Sequence, residues 1–119
     1  IREKHPNIPI IGFPRNASNY YLEYGKYVNV DCISLDQNVD VKWLINNLKM
    51  TYNRNLCLQG NLAPEILLEG GNKMVTSVHN TLNSFSSVKH IFNLGHGVIK
   101  ETPIENVELL IKTIKTWKK

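Results

Sequence analysis

Short apolar runs alternate four times with stretches of helical periodicity, and this rhythm constrains the fold more than any other feature of the sequence. The runs are IPIIGF (8–13), VNVDCISLD (28–36), NLCLQGN (55–61) and HIFNLGHG (90–97). Segments with apolar residues every three or four positions follow at 17–26, 40–50, 64–85 and from 102 onward. Strands that alternate with helices, each strand apolar on both faces, predict a parallel sheet.

Local signals refine two of the predicted helices. EGGN at 69–72 predicts a break that divides the long third helical segment into two pieces. For the last helix, the sequence predicts Thr102 as the N-cap, Pro103 at the first helical position and Glu105 completing a capping box.

The number of repeats favours one architecture. Four βα units in 119 residues are half of the roughly 250 residues typical of a (β/α)₈ TIM barrel. The alternative is a small open doubly wound sheet, which normally carries a glycine-rich phosphate loop after its first strand, and GFPRNAS is a poor example. The chain also opens in mid-flow with IREKHPNIPI, which suggests that a preceding segment is missing. We therefore expect an α/β fold that forms half a barrel.

Composition narrows the function classes. A hydrophobic content of 42% is typical of a globular protein, and no apolar run approaches the roughly 18 residues of a membrane span. The net charge of +4 comes without a nucleic-acid-binding module, so we expect no nucleic-acid partner, whereas an anionic small molecule remains possible. Cys32 and Cys57 lie at no metal-like spacing and are best interpreted as reduced core residues of a cytoplasmic protein.

Polar residues follow each predicted strand, where ligands bind in both candidate architectures. They are Arg15 after the first strand, Asp36 after the second, Gln59 and Asn61 after the third, and Asn93 and His96 after the fourth. Each has a structural alternative. Arg15 can be a surface charge, Asp36 can cap the following turn, and the two amides after the third strand can pair loops with one another.

His96 has the most distinctive surroundings of the four histidines. Gly95 and Gly97 remove side-chain bulk on both sides of it, so backbone and ligand can approach closely. Imidazole can donate or accept a hydrogen bond near neutral pH. His5, His79 and His90 lack such a setting and are predicted to be surface or packing residues.

Three motifs at their spacing resemble the C-terminal half of the uroporphyrinogen decarboxylase family. They are LQGNLAP (58–64), HIFNLGHGV (90–98) and ETPIENV (101–107), and PIIGFPR and ISLD extend the similarity over nearly the whole chain. The resemblance implies a homodimeric, cytoplasmic (β/α)₈ barrel that removes carbon dioxide from four acetate side chains of uroporphyrinogen, giving coproporphyrinogen without metal or organic cofactor. It makes His96 a substrate-binding residue and assigns the other recognised residues to an absent N-terminal half, so the isolated chain is expected to be inactive.

Two departures and two alternatives accompany this resemblance. Ala63 stands where the family usually has aspartate and Gln37 where it usually has tryptophan, which weakens any role given to Asp36 or Arg15. A zinc-dependent methyltransferase of the same superfamily is disfavoured because neither cysteine ends a predicted strand. A non-catalytic βα module that binds an anionic metabolite or a partner chain is the remaining alternative.

Overall fold

Four parallel strands form a single sheet in the order of the chain, with helices between them. The computed structural model describes residues 1–119. Its elements are β1 (Ile11–Gly12), α1 (Tyr20–Tyr27), β2 (Cys32–Ser34), α2 (Val41–Tyr52), β3 (Cys57–Leu62), α3 (Pro64–Glu69), α4 (Gly71–Ser84), β4 (His90–Leu94) and α5 (Ile104–Thr116). Every strand neighbours the next one along the chain, so the strand order never reverses. A doubly wound sheet requires such a reversal, and this sheet is therefore not one. The predicted α/β fold is confirmed, and the sheet is compatible with half of a (β/α)₈ barrel.

The first two strands are shorter than the apolar runs that predicted them. β1 has two residues and β2 has three. Ile10 N–H donates to the Asp31 carboxylate at 2.8 Å, and Val30 N–H bonds back to Val28, so neither amide joins the ladder on the neighbouring strand. Apolar character in these runs reports burial, whereas a strand is defined by its backbone pairing.

The prediction that each strand is apolar on both faces is wrong. In β3 the buried residues Leu58 and Leu62 alternate with half-buried ones. Gln59 pairs in register with Ile91, which is 43% exposed, while Leu58 is only 1% exposed. One face of the sheet therefore packs against the helices, and the opposite face is open to solvent along β3 and β4 within this chain, although all three residues of β2 are buried.

The predicted break in the third helical segment is confirmed and falls between α3 and α4. Gly70 and Gly71 have φ values of 68° and 64°, which favour glycine. Asn106, on α5, donates from Nδ2 to the carbonyls of Leu67 and Leu68 at 2.9 and 3.0 Å. It therefore satisfies carbonyls that the end of α3 leaves without helical partners.

The predicted capping box at the last helix is wrong. α5 begins at Ile104, its N-cap is Pro103, and no side chain caps it. Thr102 Oγ1 is buried without a hydrogen-bond partner. Pro103 has an extended ψ of 141°, so it takes the N-cap position itself, the helix starts one residue later and Thr102 lies outside the cap.

The hydrophobic core lies between the covered face of the sheet and the helices. Its larger cluster includes Tyr21, Ile33, Leu44 and Phe85, all at most 1% exposed. A smaller cluster joins α3, α4 and α5 and contains Leu62, Leu67, Met74, Val78, Leu82 and Leu110. Helical packing thus fixes the sheet from one side only.

His90 is a packing residue, as predicted, and its ring is built into the core. The ring stacks on Phe85 at 3.9 Å between centroids, and Nε2 lies 2.7 Å from the Gly60 carbonyl oxygen. Burial lowers the pKa of His90, although the Gly60 carbonyl favours a proton on the ring. A neutral imidazole with its proton on Nε2 satisfies that carbonyl without carrying charge into the core.

We expect His90 to make the chain less stable in mild acid. The unfolded residue titrates near 6.5, above the folded one, so protonation favours unfolding. The free energy of unfolding should hold its full value above pH 6.5 and decline as the pH falls towards the pKa of the folded state. Urea unfolding at pH 7.5 and pH 5.0 measures the decline, which His90→Gln should reduce. Equal declines in the two proteins would contradict this assignment.

Candidate functional site

A cleft of about 580 Å³ opens on the uncovered face of the sheet, towards the carboxyl ends of the strands. Its lining residues are Ile11, Phe13, Ser34, Gln59, Asn93, Leu94, Gly95, His96, Gly97 and Val98. The strands supply the floor, and the segment after β4 supplies one wall. Parallel α/β sheets bind ligands at this edge, so the cleft is the candidate site.

The lining of this cleft combines apolar surface with a few uncharged polar groups. Phe13 and Val98 are 43% and 59% exposed, so the cleft presents large apolar side chains to solvent. His96 is the only titratable residue among the ten, and none is Asp, Glu, Lys or Arg. Such a surface suits an organic ligand with an apolar body and hydrogen-bonding edges, and it presents no carboxylate that would repel an anion.

Two amide side chains stand on the floor of the cleft with unused hydrogen-bonding capacity. Gln59 Nε2 donates to Ser34 Oγ at 3.0 Å, across a pair in register between β2 and β3. Asn93 Oδ1 accepts from the Leu94 N–H at 2.8 Å. Gln59 Oε1 and Asn93 Nδ2 have no partner within the chain, so one acceptor and one donor are available to a ligand.

His96 lies just beyond β4, half-buried at the wall of the cleft. Its Nδ1 is 3.1 Å from the Gly97 carbonyl oxygen. A proton on Nδ1 is therefore directed at that carbonyl, and Nε2 has no partner within the chain. Nε2 accepts a hydrogen bond when the ring is neutral and donates one when it is protonated.

The two glycines beside His96 have different surroundings. Gly95 is buried, and a Cβ added to it would collide with the backbone nitrogen of Gln37. Around Gly97, by contrast, nothing lies within 4 Å of an added Cβ. The close neighbour of Gly95 is thus the loop after β2, whereas Gly97 faces open space at the cleft.

Three of the candidate site residues lie outside the cleft lining. Asp36 is 2% exposed and accepts three hydrogen bonds, which corresponds to the structural alternative of a turn cap. Asn61 Nδ2 donates to the Asp36 carbonyl at 2.9 Å and so pairs two loops. Arg15 is exposed and forms no ion pair or hydrogen bond through its side chain.

The two free cysteines lie at the opposite edge of the sheet from His96. Cys32 and Cys57 are the first residues of β2 and β3 and pair in register. Burial raises the pKa of the Cys32 thiol to about 12, with the neighbouring Cys57 contributing in the same direction. A thiolate ligand is disfavoured there, and no three His, Cys, Asp or Glu residues gather as a metal-binding group.

Ile11, Phe13, Ser34 and Val98 are cleft residues that the sequence did not single out. Ile11, Phe13 and Ser34 belong to apolar runs that the sequence predicts as strands, and Val98 follows the fourth run. Ile11 pairs in register with Cys32, and Ser34 pairs in register with Gln59. Because Cys32 and Ser34 are two residues apart in β2, Ile11 and Ser34 lie on the same face of the sheet as the Gln59 amide. The alternation within β3, combined with the strand order, is the signal that could have found them.

Comparison with known proteins agrees with the family resemblance of the sequence motifs. The family model described as uroporphyrinogen decarboxylase (URO-D) matches residues 1–117. Similar proteins include the uroporphyrinogen decarboxylases of Orientia tsutsugamushi, 42% identical over 118 residues, and of Cereibacter sphaeroides, 37% identical over 115 residues. These matches cover 98% and 97% of this chain and 33% of each relative, so the chain spans about a third of their length. None of its helices has the length and apolar character needed to cross a membrane.

Proposed function

The chain belongs to the uroporphyrinogen decarboxylase family, and from that membership we propose that it supplies four βα units, the C-terminal half, to a (β/α)₈ barrel. The complete barrel would convert uroporphyrinogen to coproporphyrinogen by four acetate decarboxylations. The observation that carries the proposal is the cleft around His96, which lies on the face that a closed barrel would enclose.

The chemistry of the cleft supports a tetrapyrrole ligand. Exposed Ile11 and Phe13 offer an apolar surface to a ring system. The free Gln59 Oε1 can accept from pyrrole N–H groups, and Asn93 Nδ2 can donate to a carboxylate. Because no acidic side chain lines the cleft, the acidic substituents of the substrate meet no like charge there.

The reaction requires a path for the electrons of the breaking carbon–carbon bond. Protonation of the pyrrole carbon makes the ring the electron acceptor, so the bond pair forms an exocyclic double bond to the ring as carbon dioxide leaves. A proton then adds to the methylene carbon to give a methyl group, and the ring carbon loses the proton it had gained. Orientation and electrostatic stabilisation are then the contributions of the protein, and neither requires a cofactor. His96 is assigned the role of hydrogen-bonding a substrate carboxylate or pyrrole edge through Nε2.

The compartment and the oligomeric state of the proposed enzyme are inferred from the family and the composition. We place it in the cytoplasm as a homodimer, and two free cysteines are in keeping with a reducing compartment. This chain alone should not turn over substrate, because it supplies only the floor and one wall of the cleft and its outer strand edges lack partners.

A chimaera provides the test: the Orientia tsutsugamushi enzyme with its matching segment replaced by residues 1–117 of this chain. We expect the chimaera to form coproporphyrinogen, and His96→Asn within it to lower turnover. Losing one hydrogen bond to a charged group is worth about 1.5–3 kcal/mol, or about ten- to a hundredfold in rate. Product analysis should also show a changed mixture of partly decarboxylated intermediates.

His79→Asn is the matched control, since His79 is exposed on α4 and forms no hydrogen bond through its ring. It should leave rate and intermediates unchanged. Circular dichroism checks that each variant is folded, and the 119 residues assayed alone give the blank. A folded His96→Asn variant that behaves like His79→Asn would remove His96 from the substrate site. An inactive but folded chimaera would refute the proposed function.

A further inference from the structure

Asp36 is the most heavily hydrogen-bonded side chain at the carboxyl edge of the sheet. Its Oδ2 accepts from the Asn16 N–H and from the Tyr21 hydroxyl, each at 2.8 Å, and its Oδ1 accepts from the Asn38 N–H at 2.9 Å. The carboxylate is buried without a cationic partner. Three hydrogen-bond donors therefore stabilise its negative charge. They belong to two different loops and to α1.

Tyr21 fixes the orientation of this carboxylate. The hydroxyl donates to Asp36 Oδ2 and accepts from the Asp36 N–H at 3.1 Å. Burial, reinforced by the nearby carboxylate charge, raises the pKa of Tyr21 far above its ordinary value, so the phenol remains a donor. With its own orientation fixed in this way, the carboxylate can hold the N–H of Asn16 in one place.

The segment held by this bond is the turn at 13–19, between β1 and α1. Asn16 and Ser18 have φ values of 60° and 50°, which cost non-glycine residues about 1 kcal/mol or more each. A turn with two such residues keeps its shape only where other contacts determine it. The hydrogen bond from Asn16 to Asp36 is one of those contacts.

Arg15 lies in this turn, immediately before the tethered residue and two residues after Phe13, which lines the cleft. Its guanidinium is exposed and unpaired. On the other wall, Lys100 stands two residues after Val98 but lies 3.5 Å from the Glu101 carboxylate. Of these two cations that flank the cleft lining in sequence, only Arg15 lacks a carboxylate partner, and only Arg15 lies in the turn that Asp36 holds.

We propose, building on the proposed function, that Asp36 is a positioning residue that holds the 13–19 turn so that Arg15 faces a substrate carboxylate at the mouth of the cleft. Arg15 supplies the positive charge that the cleft lining lacks. Asp36 makes no contact with substrate and acts on binding only through the turn. This accounts for a buried acidic residue beside a site for an acidic ligand.

The first experiment is a double-mutant cycle in the chimaera, with KM for uroporphyrinogen as the readout. Arg15→Gln should raise KM about tenfold, the smaller end of the range for a charged hydrogen bond, and Arg15→Lys should restore part of it. Asp36→Asn should raise KM by a similar factor alone and by little in the Arg15→Gln background. Asn16→Pro removes the donor and cannot adopt the φ of Asn16, while the Asp36 side chain stays unchanged. It should also raise KM when introduced alone and have little effect in the Arg15→Gln background.

Leu82→Ala is the structural control, because it removes buried apolar surface from the smaller core cluster and touches neither Asp36 nor the 13–19 turn. It should lower the melting temperature and leave KM unchanged. The proposal fails if Arg15→Gln leaves KM unchanged, or if Asp36→Asn and Asn16→Pro keep their full effects in the Arg15→Gln background.

Trypsin cleavage at the Arg15–Asn16 bond tests the tether without enzyme activity. Asp36→Asn should accelerate this cleavage about tenfold or more in the folded chimaera, since a released turn reaches the protease more easily. Cleavage after Arg54, whose guanidinium donates to the Gly25 and Val28 carbonyls at the end of α1, should keep its rate. Unchanged cleavage after Arg15 would refute the tether. Absence of turnover in the unsubstituted chimaera would refute the proposed function instead, and the tether would still be judged by this cleavage.

Discussion

Gly60→Ala is expected to destabilise the folded chain strongly. Gly60 is buried in β3 with φ at +129°, and an added Cβ would lie 2.6 Å from the backbone oxygen of Leu35. The Leu35 N–H donates to the Gln59 carbonyl at 2.8 Å, so the crowded oxygen belongs to a backbone that is hydrogen-bonded to β3 itself. Strain and overpacking together should cost about 3 kcal/mol or more, a large share of the 5–15 kcal/mol typical of a domain.

Substitutions at two other glycines separate backbone strain from overpacking as causes of the lost stability. Gly71 has φ at +64° but open space around an added Cβ, so Gly71→Ala measures backbone strain alone, at about 1 kcal/mol. Gly97 has neither feature, and Gly97→Ala should be close to neutral. Urea unfolding followed by circular dichroism ranks the three variants. A Gly60→Ala chain as stable as Gly71→Ala would show that the strand relaxes around the new methyl group.

The order of the elements was predictable because short apolar runs alternate with segments of helical periodicity along this chain. Each apolar run has to reach the helix-covered face of the sheet, so Ile33, Leu58 and Leu62 reveal the strands. Strand ends were less predictable, since Val30 and Leu35 are buried just outside β2. Hydrophobicity reports which residues leave water, and only hydrogen bonding decides where a ladder stops.

The candidate site was predictable where backbone topology alone places a residue. Gln59, Asn93 and His96 meet in one cleft because parallel strands bring their carboxyl ends to one edge. Asp36 occupies the same edge and yet turns inward, to donors from Asn16 and Tyr21 that lie 20 and 15 positions away. No local pattern encodes those partners, so sequence alone favoured turn capping for this residue without excluding binding.

Substitutions at the two glycines beside His96 should differ in their effect on stability. In Gly95→Ala the new methyl group would collide with the backbone of Gln37, which cannot move aside as a side chain could. The loop after β2 or the segment carrying His96 must shift, at a cost of about 2–3 kcal/mol. In the chimaera we expect a lower melting temperature, and turnover reduced at least as much as by His96→Asn, because the imidazole is displaced.

Gly97→Val should instead leave the melting temperature unchanged, since φ there is not positive and an added Cβ meets nothing within 4 Å. If the ring of the substrate lies against Gly97, the branched side chain fills space that the ligand needs, and KM should rise by about tenfold or more. Melting curves and kinetics of both variants, measured side by side, check the pair of expectations. A stable Gly95→Ala variant would show that the contact with Gln37 is not limiting. Unchanged kinetics in Gly97→Val would place the substrate away from this wall, and the open space at Gly97 would then have no part in binding.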